Sequence, residues 1–375
     1  MKILLIGEYS NVHWTLAEGL RQLGHEVTVV SNGDFWKAYP RDIDVSRPAG
    51  RLGGLQLLAR IYTLLPRLRG YDVVQFINPI FFELKAERLF PIFRYLRRHN
   101  KHVVLGAFGM DWYWVDTCTH KKPLRYSDFN LGDQLRTDDC AILEQRDWLG
   151  TSKERLNKLM ATDADVIVTG LYEYDVCYRP VFPSKTHFIP FPIKMPAVSN
   201  TGRCRASKVV VFIGISRGRS QYKGTDIMLR AAKDLQHQYA HRMKLVVAEG
   251  LPFSEYQQQM EDSDAILDQL YSYTPSMNPL LAMSKGIICI GGGEPENYDI
   301  IHETELRPII NVQPSYESVY QELEQLILHP ERIPQLKAES REYVKRHHDY
   351  LKVARQYEQL YISLLSPSSG NQPRR

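Results

Sequence analysis

Ile3-Leu4-Leu5-Ile6-Gly7-Glu8-Tyr9-Ser10-Asn11 opens the chain, and Leu23-Gly24-His25-Glu26-Val27-Thr28-Val29-Val30 follows it closely. Ile3 to Ile6 is a short unbroken apolar run, the pattern of a strand covered on both faces. Gly7 to Asn11 is a polar turn. Leu16, Leu20 and Leu23 then recur on one face of a helix, and Gly24 stands where a helix ends on a C′ residue. Val27 to Val30 is a second apolar run. Strand, helix and strand make a βαβ unit, whose parallel strands require helices on both faces of the sheet.

The alternation continues outward. Residues 72–77, 102–106, 165–169 and 187–189 read as further strands. Residues 112–150 are polar and aromatic without a clean period and are expected to form a long, partly helical insertion. Pro196, Ser199, Asn200 and Gly202 give 195–207 the composition of a linker. The pattern then restarts, with strands at 209–214, 243–248, 265–267 and 286–290 and helices at 225–235 and 280–285. Helices around 315–328 and 336–364 follow, then a tail over 367–375. The predicted fold class is α/β, with two doubly wound Rossmann-like domains, at 1–198 and 199–340, and an interdomain cleft. A length of 375 residues suits two domains, since single cores seldom grow past about 250–300 residues. Ligands of open parallel sheets bind beyond the carboxyl ends of the strands, so loops of both domains should line the cleft.

Composition narrows the function. A net charge of +4 is too small to imply nucleic acid as a partner. The five cysteines, Cys118, Cys140, Cys177, Cys204 and Cys289, are odd in number and far apart. They indicate neither a disulfide framework nor a structural zinc site, and fit a reducing compartment. The N-terminus reads as a strand rather than a signal peptide, and no run reaches the roughly 18–20 apolar residues of a membrane span. A cytoplasmic location is expected, with peripheral contact on the inner membrane face. Two basic amphipathic stretches, 51–69 and 85–101, suit such contact; the plainer reading of either is a domain helix with a core stripe and a solvated basic face.

The strongest motif is Phe212-Ile213-Gly214-Ile215-Ser216-Arg217-Gly218-Arg219-Ser220-Gln221-Tyr222-Lys223-Gly224-Thr225-Asp226. A strand leads into a loop with two arginines, then Lys-Gly at a helix start. Guanidinium groups fork onto phosphate oxygens, lysine adds a point charge, and a helix N-terminus offers free N–H groups. The chemistry suits a diphosphate.

This pattern resembles the retaining, nucleotide-sugar-dependent glycosyltransferases of the GT-B type, the group 1 family. There a strand ends in Gly, followed by Arg and, a few residues on, Lys-Gly. A second stretch agrees: Ala282-Met283, Gly286 and Pro295-Glu296 resemble the family's "Glu-Ala-Met-Ala-x-Gly" helix and "Gly-Gly-x-Pro-Glu" loop. Residues 16–30 and Ile189-Pro190-Phe191-Pro192-Ile193 also match family segments. Tyr350, Val353, Tyr357 and Tyr361 fit a C-terminal helix, 341–366, that crosses back onto the first domain. One departure stands out. The family's paired glutamates, which contact the donor's ribose and sugar, fall here at Leu281 and Tyr273. Leucine accepts no hydrogen bond from a ribose diol.

The resemblance implies a hexosyl transfer from a nucleotide-diphosphate sugar to a hydroxyl of a glycan or lipid-linked acceptor, in polysaccharide synthesis. The donor diphosphate would lie on Gly214, Lys223 and Arg217 or Arg219. Tyr273, Ser276, Met277, Asn278, Glu249 and Glu296 would surround the nucleotide and sugar, and Glu249 is also readable as a solvated turn residue. Asp111 and Glu294 are the candidate catalytic carboxylates, although Asp111 also reads as a helix N-cap. His13 and Trp14 are candidates on the acceptor side, and Trp14 equally suits ordinary packing. Asp111 and Asp116 do not form an Asp-x-Asp motif, and no metal or other cofactor is expected. Two alternatives stay open: a nucleotide-sugar epimerase on the same fold, and a non-catalytic partner protein.

Overall fold

The structure is a computed structural model that describes residues 1–197, 208–216 and 218–366. Most of the expected linker, the tail, Cys204 and Arg217 lie outside the described residues.

The strands are β1 (Lys2–Ile6), β2 (Glu26–Ser31), β3 (Ile43–Asp44), β4 (Val73–Phe76), β5 (His102–Ala107), β6 (Asn130–Leu131), β7 (Gln134–Leu135), β8 (Val166–Thr169), β9 (Thr186–Phe188), β10 (Val209–Ile215), β11 (Met243–Glu249), β12 (Ala265–Leu267), β13 (Ile288–Gly291) and β14 (Ile310–Asn311). Seven of them form one parallel sheet in the order β3-β2-β1-β4-β5-β8-β9. Five form a second parallel sheet in the order β11-β10-β12-β13-β14. The fold is therefore α/β with two doubly wound halves. Ile3 pairs with Val27 on one side and Val73 on the other. Ile3 to Ile6 are wholly buried, as an unbroken apolar run between two helical layers must be.

Each sheet reverses its strand order once, between β1 and β4 and between β10 and β12. These two switch points are where loops diverge and leave a crevice at the carboxyl ends. The loops after β1 and β10 belong to opposite halves, and they face one another.

Two elements tie the halves together. The first is the C-terminal pair of helices. The run read as one helix over 336–364 is two, Ile333–His347 and Tyr350–Leu365. The break is local chemistry: Asp349 caps the second helix by accepting from Leu351 and Lys352, while the chain at His348–Tyr350 pairs with Ile193. The last helix crosses back onto the helix Val12–Gln22. The approach is so close that a Cβ on Gly19 would sit 2.7 Å from the Ala354 methyl. Tyr361 donates to Gln75 at 2.8 Å beneath the first sheet.

The second tie is the insertion. It comprises a short helix Trp112–Asp116, one wide turn Thr117–Lys121, the β6–β7 hairpin and the helix Asp139–Trp148. Its buried residues Tyr126 and Phe129 share an apolar cluster with Tyr222 and Tyr273 of the second half.

Candidate functional site

A cavity of about 290 Å³ lies between the two switch points. From the first half, Tyr9 and Ser10 after β1, Met110 after β5, and Trp114 and Asp128 of the insertion line it; Glu173 after β8 completes that wall. From the second half come Arg219 and Lys223 after β10, Ser272 after β12, and Ser276 and Met277 at the start of the helix Met277–Ser284. No side chain caps that helix, so its first N–H groups have no partner from Ser276.

The charges are arranged unevenly. Lys223 ends the one-turn helix Ser220–Lys223. Burial lowers its pKa, and Asp268 opposes that shift. Asp268 is itself pushed up to about 6 by burial, with Lys223 pulling it down. Arg219 is exposed to the cleft, and its guanidinium lies over the Tyr222 ring. Asp128 accepts from the Trp114 indole at 3.2 Å, and burial raises its pKa against the pull of Arg136 and Arg219. A desolvated lysine beside a helix N-terminus is a receptor for an oxyanion.

The expected residues divide. Arg219, Lys223, Ser276 and Met277 line the cavity. Gly214 and Asn278 do not line it, and both pack against Tyr256. A Cβ on Gly214 would meet the Tyr256 ring at 2.7 Å, and Asn278 donates to the Tyr256 hydroxyl at 3.0 Å. Glu249 ends β11 as an exposed residue.

Six expected residues are engaged elsewhere. Asp111 is fully buried and caps its helix, accepting from the Trp114 amide at 2.9 Å and the Tyr178 hydroxyl at 2.7 Å. Burial raises it to about 7. His13 is also fully buried, not at the cleft edge. Its Nδ1 donates to the Gly7 carbonyl and its Nε2 accepts from Gln75, which fixes a neutral tautomer; burial lowers its pKa to about 3. Trp14 lies beneath the Arg21 guanidinium and does not line the cavity. Glu294 and Tyr273 belong to an interdomain clasp. Arg125 of the insertion forks onto Glu294 at 2.7 Å and Glu296 at 2.6 Å, and its own amide donates to the Tyr273 hydroxyl at 2.7 Å. Tyr126 and Gln313 fill the other Glu294 oxygen. Glu296 is thus a clasp residue as well. The polar groups among them have a helix to cap, a buried backbone carbonyl to satisfy or a neighbouring domain to hold before they have a ligand, and Trp14 packs against Arg21.

Sequence reading missed Asp128, Glu173 and Arg136. Glu173 follows a strand end, Thr169-Gly170-Leu171-Tyr172-Glu173, which was a usable signal. Asp128 and Arg136 lie in the insertion, where no periodicity marked them. Arg136 is buried, donates to the Gln221 and Tyr222 carbonyls at 2.9 Å each, and lies 3.5 Å over the Tyr271 ring. It therefore pins the Lys223 turn to the insertion. Among the described residues, no group of three or more His, Cys, Asp or Glu side chains is placed to hold a metal ion.

Comparison with solved structures decides the architecture. Sucrose-phosphate synthase from Thermosynechococcus elongatus superposes with a TM-score of 0.61 at 12% identity, over 98% of this chain and 100% of that one. HepE from Anabaena, with UDP and glucose bound, gives 0.58 at 13% identity, over 97% and 100%. The fold is that of the GT-B glycosyltransferases. A Listeria monocytogenes protein assigned as a UDP-N-acetylglucosamine 2-epimerase matches the GT-B chain too, with a TM-score of 0.55 at 11% identity, over 98% of each. No protein-family model and no curated protein matches the sequence. A shared GT-B fold carries no chemistry by itself, so function rests on the cavity.

Proposed function

We propose that the protein transfers a hexosyl group from a nucleotide-diphosphate sugar to a hydroxyl of a glycan or lipid-linked acceptor, in cell-surface polysaccharide synthesis. The observation that carries this reading is the placement of Arg219, Lys223 and the uncapped N-terminus of Met277–Ser284 on one wall of the cavity at the second switch point. These groups stabilise the charge that grows on the diphosphate as the bond from the sugar to its phosphate oxygen breaks. Positive side chains fill that role without a metal. The acceptor oxygen bonds to the sugar carbon, and Asp128, one of two first-half carboxylates that line the cavity where Asp111 does not, takes the hydroxyl proton. Retention at the sugar carbon is what the family resemblance supports. Calorimetric titration with UDP, GDP, ADP and dTDP tests the site. One nucleotide should bind selectively, and Lys223→Ala should weaken it at least about tenfold, the value of a lost charged contact. If none binds, the donor site does not exist and the non-catalytic reading replaces this one.

The epimerase reading draws on one observation, that two carboxylates, Asp128 and Glu173, reach the same cavity. Incubating the donor without an acceptor separates the two, since only an epimerase then yields an isomeric sugar nucleotide.

For the membrane-facing partner, we infer that the helix Gly53–Leu64 is the contact. It buries Leu57 and Ile61 but exposes Leu55, Tyr62 and the preceding Leu52, at 60%, 47% and 62%. Arg47, Arg51, Arg67 and Arg69 flank it and Arg60 lies on it, with no acidic residue from 45 to 71. The helix Ala86–His99 differs: it buries Leu89, Ile92, Phe93 and Leu96, and apart from Pro91 the residues it exposes are polar, Arg88 and Arg94 among them, the pattern of a solvated face. No helix among the described residues is long and apolar enough to cross a membrane. The anionic cytoplasmic leaflet suits an arginine-flanked apolar stripe.

A further inference from the structure

We propose that Glu173 reads the sugar of the donor, supplying from the first domain the carboxylate that the second domain lacks at Tyr273 and Leu281. This rests on the donor-site reading above.

Glu173 is a first-domain residue whose carboxylate is held by the second domain. Its Oε1 accepts from the amides of Tyr273 at 2.7 Å and Thr274 at 3.0 Å. The Ser272 hydroxyl lies 2.9 Å from the same oxygen and 2.7 Å from the Thr274 carbonyl, with one proton to give to either. Oε1 is therefore filled. Among the described residues, Oε2 accepts only the Thr274 hydroxyl, at 2.5 Å. A carboxylate oxygen has room for about two donors, so Oε2 keeps acceptor capacity. Glu173 lines the cavity while 5% exposed, so a group that meets it there meets it without competing water.

The charge pattern gives the cavity a direction. A phosphate is repelled by a fixed carboxylate and drawn to Lys223, Arg219 and the helix start. A sugar offers hydroxyl donors, which a carboxylate with spare capacity accepts strongly. The diphosphate therefore lies toward Lys223, and the polyhydroxyl group toward Glu173. The carboxylate comes from the opposite domain, so the sugar is read only when the two halves are together.

Glu173→Gln tests this. The amide oxygen still accepts from the two backbone N–H groups, and the amide nitrogen can donate to the Thr274 hydroxyl, so the loop keeps its anchor. What changes is the free acceptor, which becomes a donor. Thr274→Val is the companion variant: it weakens the anchor and leaves the carboxylate. The measurement is the affinity ratio between a nucleoside diphosphate and its sugar esters. The probe is whichever of UDP, GDP, ADP or dTDP wild type binds best, with its glucose, galactose and N-acetylglucosamine esters. Glu173→Gln should lower affinity for the preferred ester about tenfold and change the parent nucleotide less than about twofold. Thr274→Val should leave the ratio as in wild type. If Glu173→Gln weakens ester and parent alike, or leaves every ratio unchanged, Glu173 is only a clip between domains and the inference fails. If wild type binds no nucleotide, the donor site itself is wrong, a separate result.

Discussion

Lys223 stands between two demands. Burial disfavours its charge, while a phosphate ligand needs that charge. The consequence is a pH dependence of nucleotide binding. A lysine whose free-state pKa is lowered keeps its full affinity for an anion below that pKa. Above it, each pH unit costs up to about tenfold until the pKa of the bound form is reached. The loss should begin at lower pH than for an ordinary lysine. Titration of the bound nucleotide between pH 7 and 10 should show wild-type affinity falling and Lys223→Arg nearly flat, since arginine stays charged. Any titration of the base is common to both proteins and cancels. Parallel curves would remove Lys223 from the phosphate site. At this scale the sequence was an uneven guide. That Arg219 and Lys223 reach the cavity was legible because both stand in one compact stretch just after a strand end. Asp111 and His13 misled because a structural hydrogen bond and a ligand contact draw on the same residue types, and only burial separates them.

At the scale of elements, the parallel strands were readable because their unbroken apolar runs have no other use. Helix ends were less so: nothing between 336 and 364 announces the break at Asp349 except a capping aspartate in a charged stretch. The short strand β3 has only two residues, too few for any period. The insertion was opaque for the same reason that it matters, since its side chains answer to the other domain rather than to a repeat of their own. The helix Gly53–Leu64 shows what structure adds to a pattern. Amphipathicity was visible at 51–69 and at 85–101, but only burial tells which apolar residues remain outside. Sedimentation with vesicles tests the difference. Wild type should pellet with phosphatidylglycerol-containing vesicles, less with pure phosphatidylcholine, and less again at high salt. Leu52→Asp with Leu55→Asp should abolish pelleting, while Arg94→Ala with Arg98→Ala on the other helix should change it little. Pelleting unaffected by the leucine pair would end the assignment.

At the scale of the whole molecule, the question is what holds the halves at their present angle. Interfaces between domains of one chain are commonly mobile unless specific contacts fix them. Here the contacts converge on Arg125, whose guanidinium spans Glu294 and Glu296 and lies 4.9 Å from the Tyr273 ring. Glu294 is nearly buried. Burial works against its charge, but the bonds from Tyr126 and Gln313 and the Arg125 charge together hold its carboxyl below the usual range. Removing Arg125 leaves that carboxylate short of a partner, a loss on the order of 1–3 kcal/mol. It leaves Lys223, Arg219 and the Met277 helix untouched. Arg125→Ala should therefore loosen closure without dismantling the phosphate site. Small-angle scattering should report a larger radius of gyration than wild type, and the transition temperature should fall by a few degrees, about what such a loss gives a chain this long. Nucleoside diphosphate affinity should stay within about threefold, because the phosphate contacts sit on one domain. Discrimination between that nucleotide and its sugar ester should shrink, because Glu173 meets the sugar only across the closed cleft. An unchanged radius with unchanged discrimination would mean that the crossing C-terminal helix and the remaining bonds of Arg136 and Glu173 across the halves set the domain angle, and that the clasp merely covers the rim.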